Sequence, residues 1–311
     1  SKFTEKVFLT KEIVDLISPY LTKEAKADFE KYSQCDFAFT SKLGERFRAN
    51  LYKTSRGVSL ALRDIGSKVR SLEDLHSPSI FKKIANLEKG LVIVSGPTGS
   101  GKTTTLAAII NEINNTRNKH IITIEDPIEY VHKSNKSLIN QREVGRDVLS
   151  FSDGLRGALR EDPDVIMIGE MRDSETIKMA LTAAETGHLV FATLHTMSAS
   201  KTIDRIIGAS PEGEKDVIRS MLSTSIQAVI LQTLLKRKEG HGRIGSYEIL
   251  IATSAVRNLI REEKIHQIDN IILTGSKYGM ISMRDYTSEL LQTGIIDNPE
   301  YDKVCSNLED V

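Results

Sequence analysis

Leu91-Val92-Ile93-Val94-Ser95 runs directly into Gly96-Pro97-Thr98-Gly99-Ser100-Gly101-Lys102-Thr103-Thr104, and then into Thr105-Leu106-Ala107-Ala108-Ile109-Ile110. Four apolar residues, a glycine-rich octet and a run of good helix formers predict a strand, a phosphate-binding loop and a helix. In such a loop, main-chain N–H groups and the positive end of the helix converge on one spot, where they attract phosphate. Gly96, Gly99 and Gly101 admit backbone conformations that a Cβ would block. Pro97, Thr98 and Ser100 complete the loop, and Thr104 follows it into the helix. Lys102 is placed to reach the outer phosphates of ATP, and the Thr103 hydroxyl to ligate Mg2+.

Downstream, short apolar segments alternate with longer helical ones. Strands are predicted at Leu91–Ser95, His120–Ile124, Val165–Ile168 and His188–Thr193, and helices at Lys102–Asn115, Phe151–Glu161 and Ser174–Thr186. This alternation predicts an α/β domain with a parallel sheet covered by helices on both faces. Beyond Lys201 the pattern reads as mostly helical, apart from a strand near Ile244–Ile251.

The first sixty or so residues read differently. Short amphipathic helices at Glu12–Ile17 and Lys23–Lys31 precede alternating segments at Asp36–Thr40, Arg46–Thr54 and Val58–Ile65, a small α+β unit. The boundaries expected are 1–65 for that unit, 66–78 for a linker rich in turn residues, and 79–311 for the ATPase domain with its C-terminal region.

Ligands of open parallel sheets sit beyond the carboxyl ends of the strands. Two acidic clusters fall there, Glu125-Asp126-Pro127-Ile128-Glu129 and Gly169-Glu170. A P-loop enzyme needs one carboxylate for the Mg2+ shell and another to orient or deprotonate water. Carboxylates at strand ends are often only solvated, but two clusters following a phosphate loop favour function. Gly169 stands where a strand-terminal acid is common, so the longer Glu170 is expected to act on the metal through water. His195, after the strand His188–Thr193, is placed to report on the third phosphate or to serve a structural role.

The 311 residues carry 42 basic and 42 acidic side chains, no Trp and few aromatics, which counts against a nucleic-acid partner. Two distant cysteines, Cys35 and Cys305, exclude a four-cysteine zinc site and suit a reducing cytosol. No apolar run approaches the roughly 20 residues of a membrane span, and the N-terminus lacks the apolar core of a signal peptide. The sequence therefore reads as a cytoplasmic protein without direct membrane insertion.

Four longer motifs carry a family resemblance: GPTGSGKTTTLAA at 96–108, IITIEDPIEYV at 121–131, LREDPDVIMIGEMRD at 159–173 and AAETGHLVFATLHT at 183–196. Together they resemble the secretion-ATPase superfamily, the ring motors of type IV pili and of type II and type IV secretion, over about Asp36 to Thr293. SAVRNLIRE at 254–262 is similar to the signature of the pilus-retraction branch, with Val256 in place of Ile. RFRANLYKTSRGVSLALRDI at 46–65 resembles that family's PAS-like N-terminal domain, here shortened. GMISMRD at 279–285 departs from the family's usual GMQTLD.

The resemblance implies a RecA-like P-loop core and a homo-hexameric, Mg2+-dependent ATPase that drives pilus retraction and twitching motility. It assigns Lys102 and Thr103 to phosphate and Mg2+, Glu170 to the Walker B acid and Glu129 to the water-activating glutamate. His188 and His195 match the histidine box. Arg48 and Arg63 match arginines that reach nucleotide from a neighbouring subunit, although unaided residue reading favours a solvated strand face for them. The implied partners are an inner-membrane pilus platform protein and a second retraction ATPase, at the cytoplasmic side of the pilus base. The ATPase of another type IV secretion or pilus machine, an accessory retraction motor, a non-hydrolysing nucleotide sensor and a nucleic-acid motor are the alternatives. The apolar positions from Val256 to Ile272 follow helical spacing, which puts Arg257, Arg261 and Glu262 on the polar side, either solvated or offered to the retraction machinery.

Overall fold

The computed structural model describes residues 8–65, 69–240 and 242–309, and divides the chain into two compact units, Ser1–Lys68 and Val69–Val311. Of the linker expected at 66–78, residues 66–68 lie outside the described residues.

In the first unit, α1 (Thr10–Ile17) and α2 (Lys23–Tyr32) precede an antiparallel meander of β1 (Gln34–Thr40), β2 (Arg46–Thr54) and β3 (Gly57–Ile65). Strand alternation sends Cys35, Ala49 and Leu51 to one face, where Leu51, Cys35, Ile17 and Ala25 make a small core with the two helices. The period of two puts Arg48, Asn50, Tyr52 and Arg63 on the opposite face. Arg48 and Arg63 are register partners across β2 and β3, and both are exposed.

The second unit is built on α3 (Ile80–Ala85), β4 (Gly90–Ser95), α4 (Lys102–Thr116), β5 (His120–Glu125), β6 (Leu138–Glu143), α5 (Phe151–Ala158), β7 (Val165–Ile168), α6 (Ser174–Glu185), β8 (Leu189–Thr193), α7 (Ala199–Gly208) and α8 (Lys215–Ser225). It continues with β9 (Ile226–Lys236), β10 (Arg243–Ile251), α9 (Ser254–Arg261), α10 (Ile268–Thr274), α11 (Met283–Gln292) and α12 (Asn298–Glu309). The strands form one seven-stranded sheet in the order β10-β9-β4-β8-β7-β5-β6, parallel except for the β9–β10 hairpin. Every residue of β4, β7 and β8 is buried, as expected of central parallel strands covered on both faces. Leu91, Ile93, Ile166, Ile168 and Val190 pack against α5 to α9, while Val92, Val94, Val165, Met167 and Phe191 pack against α3 and α4.

Two strands differ from the sequence reading. Ile226–Lys236 is an eleven-residue strand, where the region after Lys201 reads as mostly helical. Its apolar residues are nearly continuous because both faces of the sheet are covered there, Ile226 and Val229 lying in one core layer and Ala228 and Ile230 in the other, so it shows no period of two. The edge strand β6, LINQRE, is polar at four of its six residues, with no apolar pattern to mark it.

The stretch from Ser254 to Thr274 is two helices broken at Glu263, whose φ is 61°. Arg257 is not on a solvated face. It is half-buried, and its Nη1 donates to the carbonyls of Ser223 (2.9 Å) and Thr224 (2.7 Å) at the end of α8, with Nη2 3.2 Å from Gln227 Oε1. These carbonyls have no partner within the helix, so Arg257 caps α8 where it turns into β9. Arg257→Ala is expected to cost about 2 kcal/mol of stability, the scale of a charge-assisted hydrogen bond, and to leave ATP hydrolysis measurable. Urea unfolding checks it, and an unchanged midpoint would return Arg257 to the surface.

Candidate active site

Parallel strands deliver their carboxyl ends to one edge of the sheet. Across that edge, in the order β4, β8, β7, β5, lie the phosphate loop, His195, Glu170 and the segment Glu125–Glu129. Strand order thus brings together four segments that are far apart in sequence.

Lys102 opens α4 and is only 8% exposed. Its Nζ donates to the carbonyls of Gly96 (2.8 Å) and Pro97 (3.1 Å), and lies 3.2 Å from His195 Nδ1. His195 Nε2 is 3.3 Å from Glu170 Oε1, and Glu170 Oε2 pairs with Arg172 at 2.8 Å. An imidazole neutral at Nδ1 and protonated at Nε2 satisfies both contacts, accepting from the ammonium and donating to the carboxylate. Burial pulls the Lys102 ammonium down in pKa, against the charges of Glu170 and Glu129, which both lie close enough to hold it up. Burial pushes Glu170 up, but Arg172 and His195 outweigh it and the carboxyl ends below its ordinary range.

Two glycines are needed for space. A Cβ on Gly96, whose φ is +139°, would stand 2.2 Å from the Gln232 carbonyl oxygen of β9. At Gly169 the main chain runs against β5, donating to Ile124 O at 2.8 Å and accepting from the Thr193 hydroxyl, and a Cβ would meet Glu125 Cα at 3.3 Å. That close approach explains the glycine between β7 and Glu170.

The chemistry of the donor set fits a magnesium nucleotide. Ser100 Oγ is buried and has no partner among the described residues, and the Thr103 hydroxyl and Glu170 carboxylate are oxygen ligands of the kind Mg2+ takes. Thr104 Oγ1 is 2.9 Å from Tyr130 OH, which ties the helix start to the loop that carries the half-buried Glu129. A cleft beside Gly101 and Thr104 is lined by Asp74, Leu75, Leu234, Arg237 and Arg243.

One expected residue is elsewhere. His188 precedes β8, at its amino end; Gly90 N donates to His188 O, and the imidazole sits on Ala183 O at 2.9 Å. By strand rise that is roughly 15 Å from the phosphate loop, so within the chain His188 does not reach it. Arg48 and Arg63 belong to the other unit, described above.

Sequence reading passed over Arg172, Tyr130, Gln232 and the Ser95–Thr196 pair. Ser95 Oγ and Thr196 Oγ1 are 2.7 Å apart and pin the ends of β4 and β8 together, while Gln232 accepts from Thr105 Oγ1 at 2.7 Å under the loop. Arg172, two residues beyond Glu170, could have been found from that spacing; the others carry no local signal.

Comparison with known proteins gives a consistent family. A family model described as type II/IV secretion system protein matches residues 46–301. A Neisseria gonorrhoeae protein described as twitching motility protein is 54% identical over 92% of this chain and 76% of its own length. The Pseudomonas aeruginosa type IV pilus retractation ATPase PilT is 52% identical over 92% of this chain and 83% of its own. Among solved structures, that of the pilus retraction motor PilT with bound ADP superposes with a TM-score of 0.86 at 43% identity, covering 93% of this chain and 82% of that one. The Legionella pneumophila ATPase DotB superposes with a TM-score of 0.83 at 28% identity, over 98% and 86% of the two chains.

Glu125 gives the site a measurable pH signature. It is 5% exposed, and burial raises its pKa from 4.5 to about 7 against hydrogen bonds from Thr123 and Gln141. The folded state therefore holds a proton that the unfolded state loses between pH 4.5 and 7, so stability falls as pH rises through that window, by about 3 kcal/mol in all. Glu125→Gln removes the titration. Its stability relative to the parent protein is expected to improve by about 2 kcal/mol from pH 5 to pH 8, measured by urea unfolding at both; a constant difference would mean the carboxyl is ionised throughout.

Proposed function

The chain belongs to the type II/IV secretion system protein family, and from that premise we propose that it is an ATP-hydrolysing motor that powers type IV pilus retraction, the force behind twitching motility. The observation that carries the chemistry is the contact series from Lys102 through His195 to Glu170 at the carboxyl edge of the sheet.

Lys102 holds two loop carbonyls and a histidine nitrogen, acceptors that phosphate oxygens replace when ATP enters. The loop residues Gly96, Pro97, Thr98, Gly99, Ser100 and Gly101, with Thr104, surround the phosphates, and the Ser100 hydroxyl gains a partner there. The cleft beside Gly101 takes the nucleoside. Thr103, and Glu170 through water, would hold Mg2+, which would neutralise charge on the phosphates and the leaving group. Glu129 accepts the proton of the attacking water. His195, released from Lys102, turns its Nε2–H from Glu170 to the third phosphate, and that carboxylate is left for the cation. Each group acts by position and charge, which is most of what phosphoryl transfer asks of a protein.

Arg48 and Arg63 support a ring. Two arginines directly opposite on a sheet repel, and an anion between them removes that cost. We read the pair as the arginines offered to the nucleotide of a neighbouring subunit in a homo-hexamer. Among the described residues no helix is long and apolar enough to cross a membrane. In this reading the motor works on a membrane platform protein at the pilus base, with a second retraction ATPase as a further partner.

Glu129→Gln and Glu170→Gln are each expected to lower kcat at least 100-fold, and Lys102→Ala to abolish nucleotide binding; near-normal turnover in both glutamine variants would sink the chemistry. In the cell, deletion is expected to leave surface pili abundant and surface motility absent. A deletion strain that still twitches would refute the retraction role.

A further inference from the structure

The carboxylate assigned to water activation sits on an irregular loop between β5 and β6. Among the described residues, no N–H from Asp126 to Asn135 donates to a main-chain carbonyl. Phosphoryl transfer tolerates little error in the placement of such a group, and a loop without its own hydrogen-bond ladder has no intrinsic means of providing that precision.

The missing partners come from side chains of the edge strand β6. Glu143 Oε2 accepts from Ile128 N at 3.0 Å. Gln141 holds the other side of Glu129 with both ends of its amide: Nε2 donates to Tyr130 O at 2.8 Å, and Oε1 accepts from His132 N at 2.8 Å. The amide is itself oriented, since Nε2 also donates to Glu125 Oε1 at 3.0 Å, and that oxygen accepts from Thr123 Oγ1 at 2.7 Å. Register explains the arrangement. Thr123 faces Gln141 and Glu125 faces Glu143 across β5 and β6, so alternation puts all four on one face. Glu125 and Glu143 are both almost wholly buried, and a buried carboxylate is retained only where it has work in hydrogen bonding.

We propose that Gln141 and Glu143, with Glu125 orienting Gln141, form a clamp that fixes the main chain on either side of Glu129 and so sets the position of its carboxylate. They are positioning residues, which act through the main chain around Glu129. The inference rests on the assignment of Glu129 as the water-activating group.

The test uses the full chain in its assembled state, with ATP hydrolysis followed against ATP concentration, ADP affinity by calorimetry and thermal melting in parallel. Gln141→Leu keeps volume and removes the amide; Glu143→Ala removes the acceptor, and Glu143→Gln keeps one. Gln141→Leu and Glu143→Ala are expected to lower kcat 10- to 100-fold with KM and ADP affinity within twofold, and Glu143→Gln to recover activity to within threefold of the parent. Loss of kcat matched by equal loss of ADP affinity, equal damage from Glu143→Ala and Glu143→Gln, or activity within twofold in both disruptive variants would overturn the clamp. Should Gln141→Leu not fold, the two Glu143 variants decide alone. Glu129→Gln run alongside separates the two ideas: if it stays active, the assignment of Glu129 fails; if it is inactive while the clamp variants are active, only the clamp fails.

Discussion

A buried ammonium organises the phosphate-binding end of this molecule. Lys102 is almost wholly buried, and a charge in that position must be met by acceptors or it destabilises the fold. The acceptors are the Gly96 and Pro97 carbonyls and the His195 ring. Turning the Gly96 carbonyl inward requires a backbone conformation and a closeness to β9 that only glycine tolerates. Meeting His195 requires β8 beside β4, and His195 in turn needs Glu170 at the end of β7. One charge therefore dictates the neighbours of the loop strand and which residues stand at their ends.

The proposed response to nucleotide rests on these contacts. The partners of Lys102 are neutral acceptors, weaker than phosphate oxygens, which would therefore compete for the ammonium. Glu170 stays below its ordinary pKa because Arg172 and His195 face it, which keeps the carboxylate charged. Glu129 and Glu125 differ in kind: the first is half-exposed near Lys102, and the second is enclosed and raised to about 7. Two acids four residues apart thus take separate roles, because one sits on a loop and the other ends a buried strand.

Distance from the phosphate loop separates motif residues that look alike in sequence. His188 and His195 bracket β8, and a five-residue strand keeps them at opposite ends of the sheet. Arg257 sits in a segment with a clear amphipathic period, yet it closes the carbonyl end of α8, where an arginine side chain satisfies carbonyls the helix leaves open.

From the sequence alone, the phosphate loop, the α/β alternation and the acidic strand ends were all legible. Each is a local pattern: glycines at fixed offsets, apolar runs of strand length, acids that follow them. The residues of β9 and β6 were not legible as strands, since a strand buried on both faces loses its alternation and a polar edge strand never has much. Nor could any pattern show that Gln141 and Glu143 hold the chain around Glu129, or that His188 lies far from the loop whereas His195 touches Lys102. Those facts follow from strand order and register, which depend on how the segments pack across the sheet. Local sequence sets which groups can do chemistry; the order of the strands decides which of them meet.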